Sequence, residues 1–280
     1  MRLHVVNTGY FKLDGGAMFG VVPKSIWQKT NPADSDNLCT WAMRCLLVED
    51  GNRLMLIDNG IGNKQDEKFL SHYHLHGEDN LTKSLNTLGF SEGDITDMFL
   101  SHLHFDHCGG GIRKTGEKFQ LTFPRATYWS NKDHWQWATQ PNAREKASFL
   151  KENILPMQES GQLKFVEEKE GNAPFHFMGI FYARGHTEKM MIPKIKYRGY
   201  TVCFMADLLP SVGHIPLPYV MGYDTRPLLT LQEKEAFLLE AADHQYVLFL
   251  EHDPINECCT VKRTEKGVRV DKVFSLSELI

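Results

Sequence analysis

The stretch Ser101-His102-Leu103-His104-Phe105-Asp106-His107-Cys108-Gly109-Gly110 packs three histidines and one aspartate into six consecutive positions. Neutral imidazole and carboxylate are the side chains that hold zinc and similar divalent ions. The i, i+2 spacing of His102 and His104 suits an extended strand end, where both rings leave on one side. Asp106 and His107 then need a tight turn, which puts them on a second front. Four such groups from so short a stretch serve two ions more comfortably than one. The glycines at 109, 110 and 111 let the backbone turn sharply and pass close to the site.

Outward from this stretch the chain alternates strand-like and helix-like segments. Upstream, Arg2 to Gly9 reads as a strand. Thr40 to Glu49 and Arg53 to Asp58 read as two strands joined by a turn at Asp50-Gly51-Asn52. Asp79 to Leu88 has a helical pattern that stops at Gly89, and Ile95 to Leu100 is a short apolar strand running into the motif. Downstream, Asn142 to Leu155 reads as a helix, with Leu150 and Ile154 on one face. Thr201 to Ala206 is a strand ending at Asp207. Thr230 to His244 is a helix, with Thr230 and Glu233 spaced as a capping box. Tyr246 to Leu250 is a buried strand ending at Glu251-His252-Asp253, and Val268 to Phe274 is a late strand. This alternation implies an α/β architecture whose site gathers at the carboxyl ends of strands. Residues 210–227 carry Pro210, Pro216, Pro218 and Pro227, too many for an element interior, and read as an ordered functional loop.

The pattern His102-x-His104-x-Asp106-His107 resembles the signature of the metallo-β-lactamase-fold hydrolases. The resemblance implies an αββα sandwich formed by one domain over residues 1–280, with a metal site at one edge. It also implies three further ligands in fixed order, and the sequence offers Gly185-His186, Ala206-Asp207 and Glu251-His252. On that likeness His102, His104 and His186 hold one ion. Asp106, His107 and His252 hold the other, and Asp207 bridges them. The ions are most readily zinc, with iron or manganese as alternatives, and a hydroxide shared between them is the implied nucleophile. Leu56-Ile57-Asp58-Asn59-Gly60 resembles a family motif in which the aspartate orients a ligand histidine by accepting its other ring proton.

Composition narrows the partners. The 280 residues are enough for a sizeable core, and 31 basic against 35 acidic side chains give a net charge of −4. That balance and the lack of a basic arm argue against nucleic acid. No run approaches the ~20 apolar residues of a membrane span. No secretion signal is visible at the N-terminus, so the six scattered cysteines are expected to be free thiols in the reducing cytoplasm. A homodimer is compatible with the sequence. His72, His74 and His76 alternate without a carboxylate and read as an exposed loop or a frayed helix end. His4, His134, His176 and His244 are isolated, and Cys108 reads as packing.

Among family subgroups, the run Phe11 to Lys24 resembles the opening of the lactonases and methyl parathion hydrolase-like enzymes. The expected function is therefore hydrolysis of a small ester or lactone, with phosphotriesters as promiscuous substrates. Phe19, Trp27, Tyr219 and Tyr223 are candidates for the walls of an apolar cleft. Acyl-homoserine lactonases carry a tyrosine three residues past the bridging aspartate, and this chain has Pro210 there. Either Tyr223 or His214 supplies the carbonyl donor, or the substrate differs. Asp106 and Asp207 complete the catalytic set, with Asp207 or a metal-bound water passing a proton to the leaving alkoxide. Two alternatives stay open: a thioester hydrolase of the hydroxyacylglutathione type, and a metal-binding sensor with little catalysis.

Overall fold

The computed structural model describes residues 1–167 and 175–279. The chain divides into two compact units that interleave in sequence, one from residues 1–9 and 43–174, the other from residues 10–42 and 175–280. Among the described residues no helix is long and apolar enough to cross a membrane.

The first unit is built around a six-stranded sheet. Its order is Arg2–Asp14, Leu38–Asp50, Arg53–Ile57, Asp97–Phe99, Thr127–Ser130 and Leu163–Phe165. The two long strands continue past the unit's boundaries in sequence. Leu38–Asp50 and Arg53–Ile57 form the expected hairpin, paired from Leu46 with Ile57 to Asp50 with Arg53. Gly51, at φ 60°, supplies the left-handed residue of its turn. The pairings from Arg53–Ile57 onward are parallel. Of these strands Arg53–Ile57 and Asp97–Phe99 are buried along almost their whole length, whereas the edge strand Leu163–Phe165 is largely exposed. Leu47, Leu54, Leu56, Met98, Leu100, Phe123 and Tyr128 belong to one buried cluster.

The helix expected over Asn142 to Leu155 is instead Lys151–Glu159. Asn142 explains the difference. Its side-chain oxygen accepts from the amides of Arg144 at 2.8 Å and Glu145 at 3.1 Å. Those bonds close a turn that competes with helix. Helix Lys132–Thr139, capped by the side chain of Asn131, was not legible from periodicity.

The second unit holds another six-stranded sheet, in the order Gly267–Phe274, Cys258–Thr264, Val247–Phe249, Tyr200–Phe204, Met190–Tyr197 and Met178–Ala183. Only Tyr200–Phe204 and Val247–Phe249 pair in parallel among its described strands, and helix Pro227–Asp243 makes the crossover between them. Phe237 of that helix sits edge-on to Phe181 at 5.3 Å.

This helix begins three residues before the expected Thr230, because Pro227 occupies its first turn with φ already suited to a helix. The capping box is therefore absent. Glu233 accepts instead from the amides of Arg184 at 2.8 Å and Gly185 at 2.9 Å.

All six cysteines are buried. His72, His74 and His76 are exposed around the end of helix Glu67–Ser71, as expected for a frayed helix end.

Candidate metal centre

In the first unit the site grows from two neighbouring parallel strands. Ile57 pairs with Phe99, so Asp58, one residue beyond the first strand, comes beside Ser101, two beyond the second. Asp58 is fully buried and sits at φ 56°. This is a left-handed conformation that aspartate tolerates better than most residues. Its Oδ1 accepts from the Ser101 amide at 2.7 Å, and its Oδ2 accepts from Ser101 Oγ at 2.5 Å. Oδ2 also accepts from His107 Nδ1 at 3.0 Å. Ser101 Oγ in turn accepts from His102 Nδ1 at 3.0 Å. One carboxylate thus fixes two histidine rings, directly for His107 and through a hydroxyl for His102.

The inward nitrogens are left facing other donors. His102 Nε2 and His104 Nδ1 lie 3.1 Å apart, and His107 Nε2 lies 3.7 Å from Asp106 Oδ2. Asp106 and His107 lie on the short helix Phe105–Cys108 that follows His104. The next turn packs against backbone so closely that a Cβ at Gly110 would lie 2.1 Å from the Asn59 carbonyl. Of the isolated histidines, His134 is a buried acceptor for the Leu103 amide at 2.9 Å, holding the backbone between the two strand-end ligands. Cys108 Sγ donates to the Leu103 carbonyl at 3.3 Å, which agrees with a packing role.

In the second unit the other three expected ligands converge. Asp207 follows Tyr200–Phe204, and His252 follows the parallel neighbour Val247–Phe249, so strand pairing alone brings them together. Asp207 Oδ1 lies 3.0 Å from His252 Nε2, and its Oδ2 lies 3.0 Å from His186 Nε2. Each carboxylate oxygen therefore faces a different imidazole. His252 Nδ1 donates to the Ala42 carbonyl at 2.7 Å.

His186 Nδ1 donates to Asp224 Oδ1 at 2.8 Å. Asp224 was missed from sequence, where it is one acidic residue in the proline-rich loop. Gly185 is required before His186, since a Cβ there would lie 2.2 Å from Thr230 Oγ1 and 2.4 Å from Thr230 N. Burial opposes the charged form of His186, but the carboxylates of Asp207 and Asp224 outweigh it and raise its pKa to about 10. A cation is thus strongly favoured at this point, as imidazolium or as a metal that displaces the proton.

The donor set fits divalent metal. Within each unit, buried imidazole nitrogens and carboxylate oxygens face one another. The opposite ring nitrogens of His102, His107, His186 and His252 are each tied to an acceptor that fixes the tautomer.

The expected cleft residues divide. Phe19 and Trp27 are buried and stack face to face at 5.3 Å, so both are core of the second unit rather than open walls. His214 stacks on Phe19 at 4.4 Å and is itself buried. Its Nε2 donates to the Met18 carbonyl at 2.9 Å, and its Nδ1 accepts from Ser211 Oγ at 2.9 Å. With both ring nitrogens engaged inside the protein, His214 positions the loop and is not placed to donate to a substrate carbonyl. Tyr219 meets Phe19 edge-on at 6.4 Å, and Tyr223 is 40% exposed beside Asp224. Lys234 is buried in the crossover helix, and its ammonium donates to the carbonyls of Pro216 and Tyr219 at 2.9 and 2.8 Å, clasping the same loop.

Burial pulls the pKa of His214 down to about 3, below its ordinary value of 6.5. As pH falls below about 6.5 the unfolded chain takes up a proton that the folded ring refuses, so this contribution to stability is lost progressively toward pH 3. Urea unfolding at a series of pH values is expected to show a shallower acid loss in His214→Phe, which keeps the stack on Phe19 but has no proton to gain.

Residues 44–252 match the model for the metallo-beta-lactamase superfamily. Among solved structures, the chain resembles a probable metal-dependent hydrolase from Staphylococcus aureus with 28% identity and a TM-score of 0.88, over 100% of this chain and 98% of the other. It resembles AidC, a dizinc quorum-quenching lactonase, with 25% identity and a TM-score of 0.78, over 98% of this chain and 95% of that one. The hydrolase AbOPH shares the fold, with 20% identity, a TM-score of 0.78 and coverage of 98% and 94%. No curated protein matches the sequence.

Proposed function

This chain belongs to the metallo-beta-lactamase superfamily, a metal-dependent hydrolase family whose fold it shares, and we propose that it hydrolyses a small neutral ester or lactone at a centre of two divalent ions. His102, His104 and His186 would hold one ion, Asp106, His107 and His252 the other, and Asp207 both. The observation that carries this reading is the Asp207 carboxylate, whose two oxygens each face a different histidine at 3.0 Å. Two bound ions would supply Lewis acidity, polarising a carbonyl and lowering the pKa of water. The similarity to a dizinc lactonase along almost the whole chain supports the substrate class. Zinc is the metal that reading favours, and phosphotriesters are expected as slower, promiscuous substrates.

The protein's own groups supply orientation and proton traffic. Asp58 and Asp224 accept the outer ring protons of His107 and His186, which leaves the inner nitrogens to face a metal that displaces any proton held there. Asp207 is the carboxylate placed to receive a proton and pass it to the leaving alkoxide. Tyr223, with a partly exposed phenol beside Asp224, is the candidate donor to the substrate carbonyl. The late basic residues that would serve a glutathione thioester lie on a strand hairpin and have other partners. Arg263 makes a two-pronged contact with Asp243 at 2.6 Å, and Lys262 lies 2.9 Å from Asp271.

Turnover by zinc-loaded protein of γ- and δ-lactones, aryl esters, a phosphotriester, a glutathione thioester and a structured RNA tests this directly. Lactones or aryl esters are expected to be fastest. Fastest turnover of the thioester, or cleavage of RNA alone, would overturn the substrate class. Stoichiometric metal with no turnover of any compound would identify a sensor.

A further inference from the structure

We infer that Glu145 is a positioning residue for His104, fixing which ring nitrogen that histidine presents to the metal; the inference rests on the metal centre proposed above. His104 is turned differently from its neighbours. His102 directs Nε2 toward His104 and ties its Nδ1 to Ser101, and His107 directs Nε2 toward Asp106 and ties its Nδ1 to Asp58. His104 directs Nδ1 inward, 3.1 Å from His102 Nε2, so its Nε2 points outward. Opposite that nitrogen, at 3.6 Å, lies Glu145 Oε1, and both side chains are almost completely buried.

The carboxylate is held in this orientation from behind. Its other oxygen, Oε2, accepts from Trp137 Nε1 at 2.7 Å and from Asn142 Nδ2 at 2.5 Å. With both donors on Oε2, Oε1 is the oxygen that faces His104. The segment carrying Glu145 is tied to the motif independently. The Ser148 amide donates to the Glu145 carbonyl at 2.8 Å, and the Ser148 carbonyl accepts from the Phe105 amide at 3.0 Å. Phe149 packs its ring 4.7 Å from that of His104.

A buried carboxylate is costly unless a cation or a strong donor faces it. An imidazole that gives Nδ1 to a divalent ion keeps its proton on Nε2 and carries part of the ion's charge, so it is such a donor. Glu145 in turn locks the tautomer and strengthens Nδ1 as a ligand. The turn closed by Asn142, which replaces the expected helix there, is what delivers Glu145 to this point.

The test measures zinc affinity by competition with a chromophoric chelator, alongside urea unfolding of the metal-free protein. Glu145→Gln keeps the shape and removes the charge, and Trp137→Phe removes one donor to Oε2 without touching His104. Zinc affinity at one of two sites is expected to fall roughly 10- to 100-fold in Glu145→Gln and by less in Trp137→Phe. The visible spectrum of the cobalt-substituted protein is expected to change in both variants, with metal-free stability near that of the parent. Unchanged affinity and spectrum in whichever variant folds would overturn the role of Glu145. Failure of the parent protein to bind zinc stoichiometrically would instead overturn the metal centre, and Glu145's role with it, before any variant is compared.

Discussion

Asp207→Ala is expected to strip the protein of divalent metal and reduce hydrolysis to background, a loss beyond the roughly 10- to 100-fold that removal of an outer partner costs. The reason is geometric. Each oxygen of this carboxylate faces a different histidine, so its removal deprives both proposed ions of a ligand at once. It also leaves their positive charges closer to uncompensated. Elemental analysis of protein purified without chelator is expected to give close to two ions per chain for the parent and less than one for the variant. Asp106→Ala is expected to differ, losing activity while retaining the ion on the side of His102 and His104. Retention of both ions and full turnover by Asp207→Ala would show that the bridge lies elsewhere.

Asp58→Ala is expected to have the largest effect on stability. Three donors converge on this carboxylate: the Ser101 amide, Ser101 Oγ and His107 Nδ1. Asp58, Ser101 and His107 are all fully buried, so no water replaces the lost acceptor. Leaving each buried donor without an acceptor costs about 1–3 kcal/mol. The left-handed backbone of Asp58, at φ 56°, adds to the strain. Alanine lacks the short polar side chain that makes this conformation tolerable. Asp58→Asn separates stability from metal binding. Its amide still accepts from the Ser101 backbone but offers N–H where oxygen stood, which forces His107 to accept at Nδ1 and to protonate Nε2. Denaturant unfolding is expected to show most of the stability kept in this variant, and metal analysis is expected to show the ion on the side of His107 weakened.

The motif His102-x-His104-x-Asp106-His107 was readable because its members are close in sequence and the strand and turn geometry is local. Asp207 and His252 were readable because each follows an apolar run, and Tyr200–Phe204 and Val247–Phe249 pair in parallel. Glu145 and Asp224 were not readable. Each is a single acidic residue far in sequence from the histidine it faces, and only tertiary packing gives it a role. Glu233 was misread for a related reason. Its spacing from Thr230 fits a helix cap, but Pro227 starts the helix earlier and leaves the carboxylate to bind the amides before His186. Local spacing identifies groups that act on their neighbours in sequence, and a side chain recruited from a distance leaves no such mark. Phe19, Trp27 and His214 illustrate the same limit from the other side. An aromatic in a glycine-rich run looks like a cleft wall, and here the rings stack on one another as core.

The interleaving of the two units bears on how the molecule is made. Residues 10–42 are synthesised early, yet they belong with a segment that begins roughly 130 residues later. At about 5–20 residues per second, on the order of ten seconds separates the two on the ribosome. Throughout that interval Phe11, Phe19 and Trp41, all fully buried in the finished protein, lack the later rings they meet, His252 for Phe11 and His214 for Phe19 and Trp41. The first unit has most of its chain in hand well before the second does. Pairings of such long sequence separation are slow to form, and the aromatic segment waiting for them is the part of the nascent chain most exposed to aggregation and to chaperone capture.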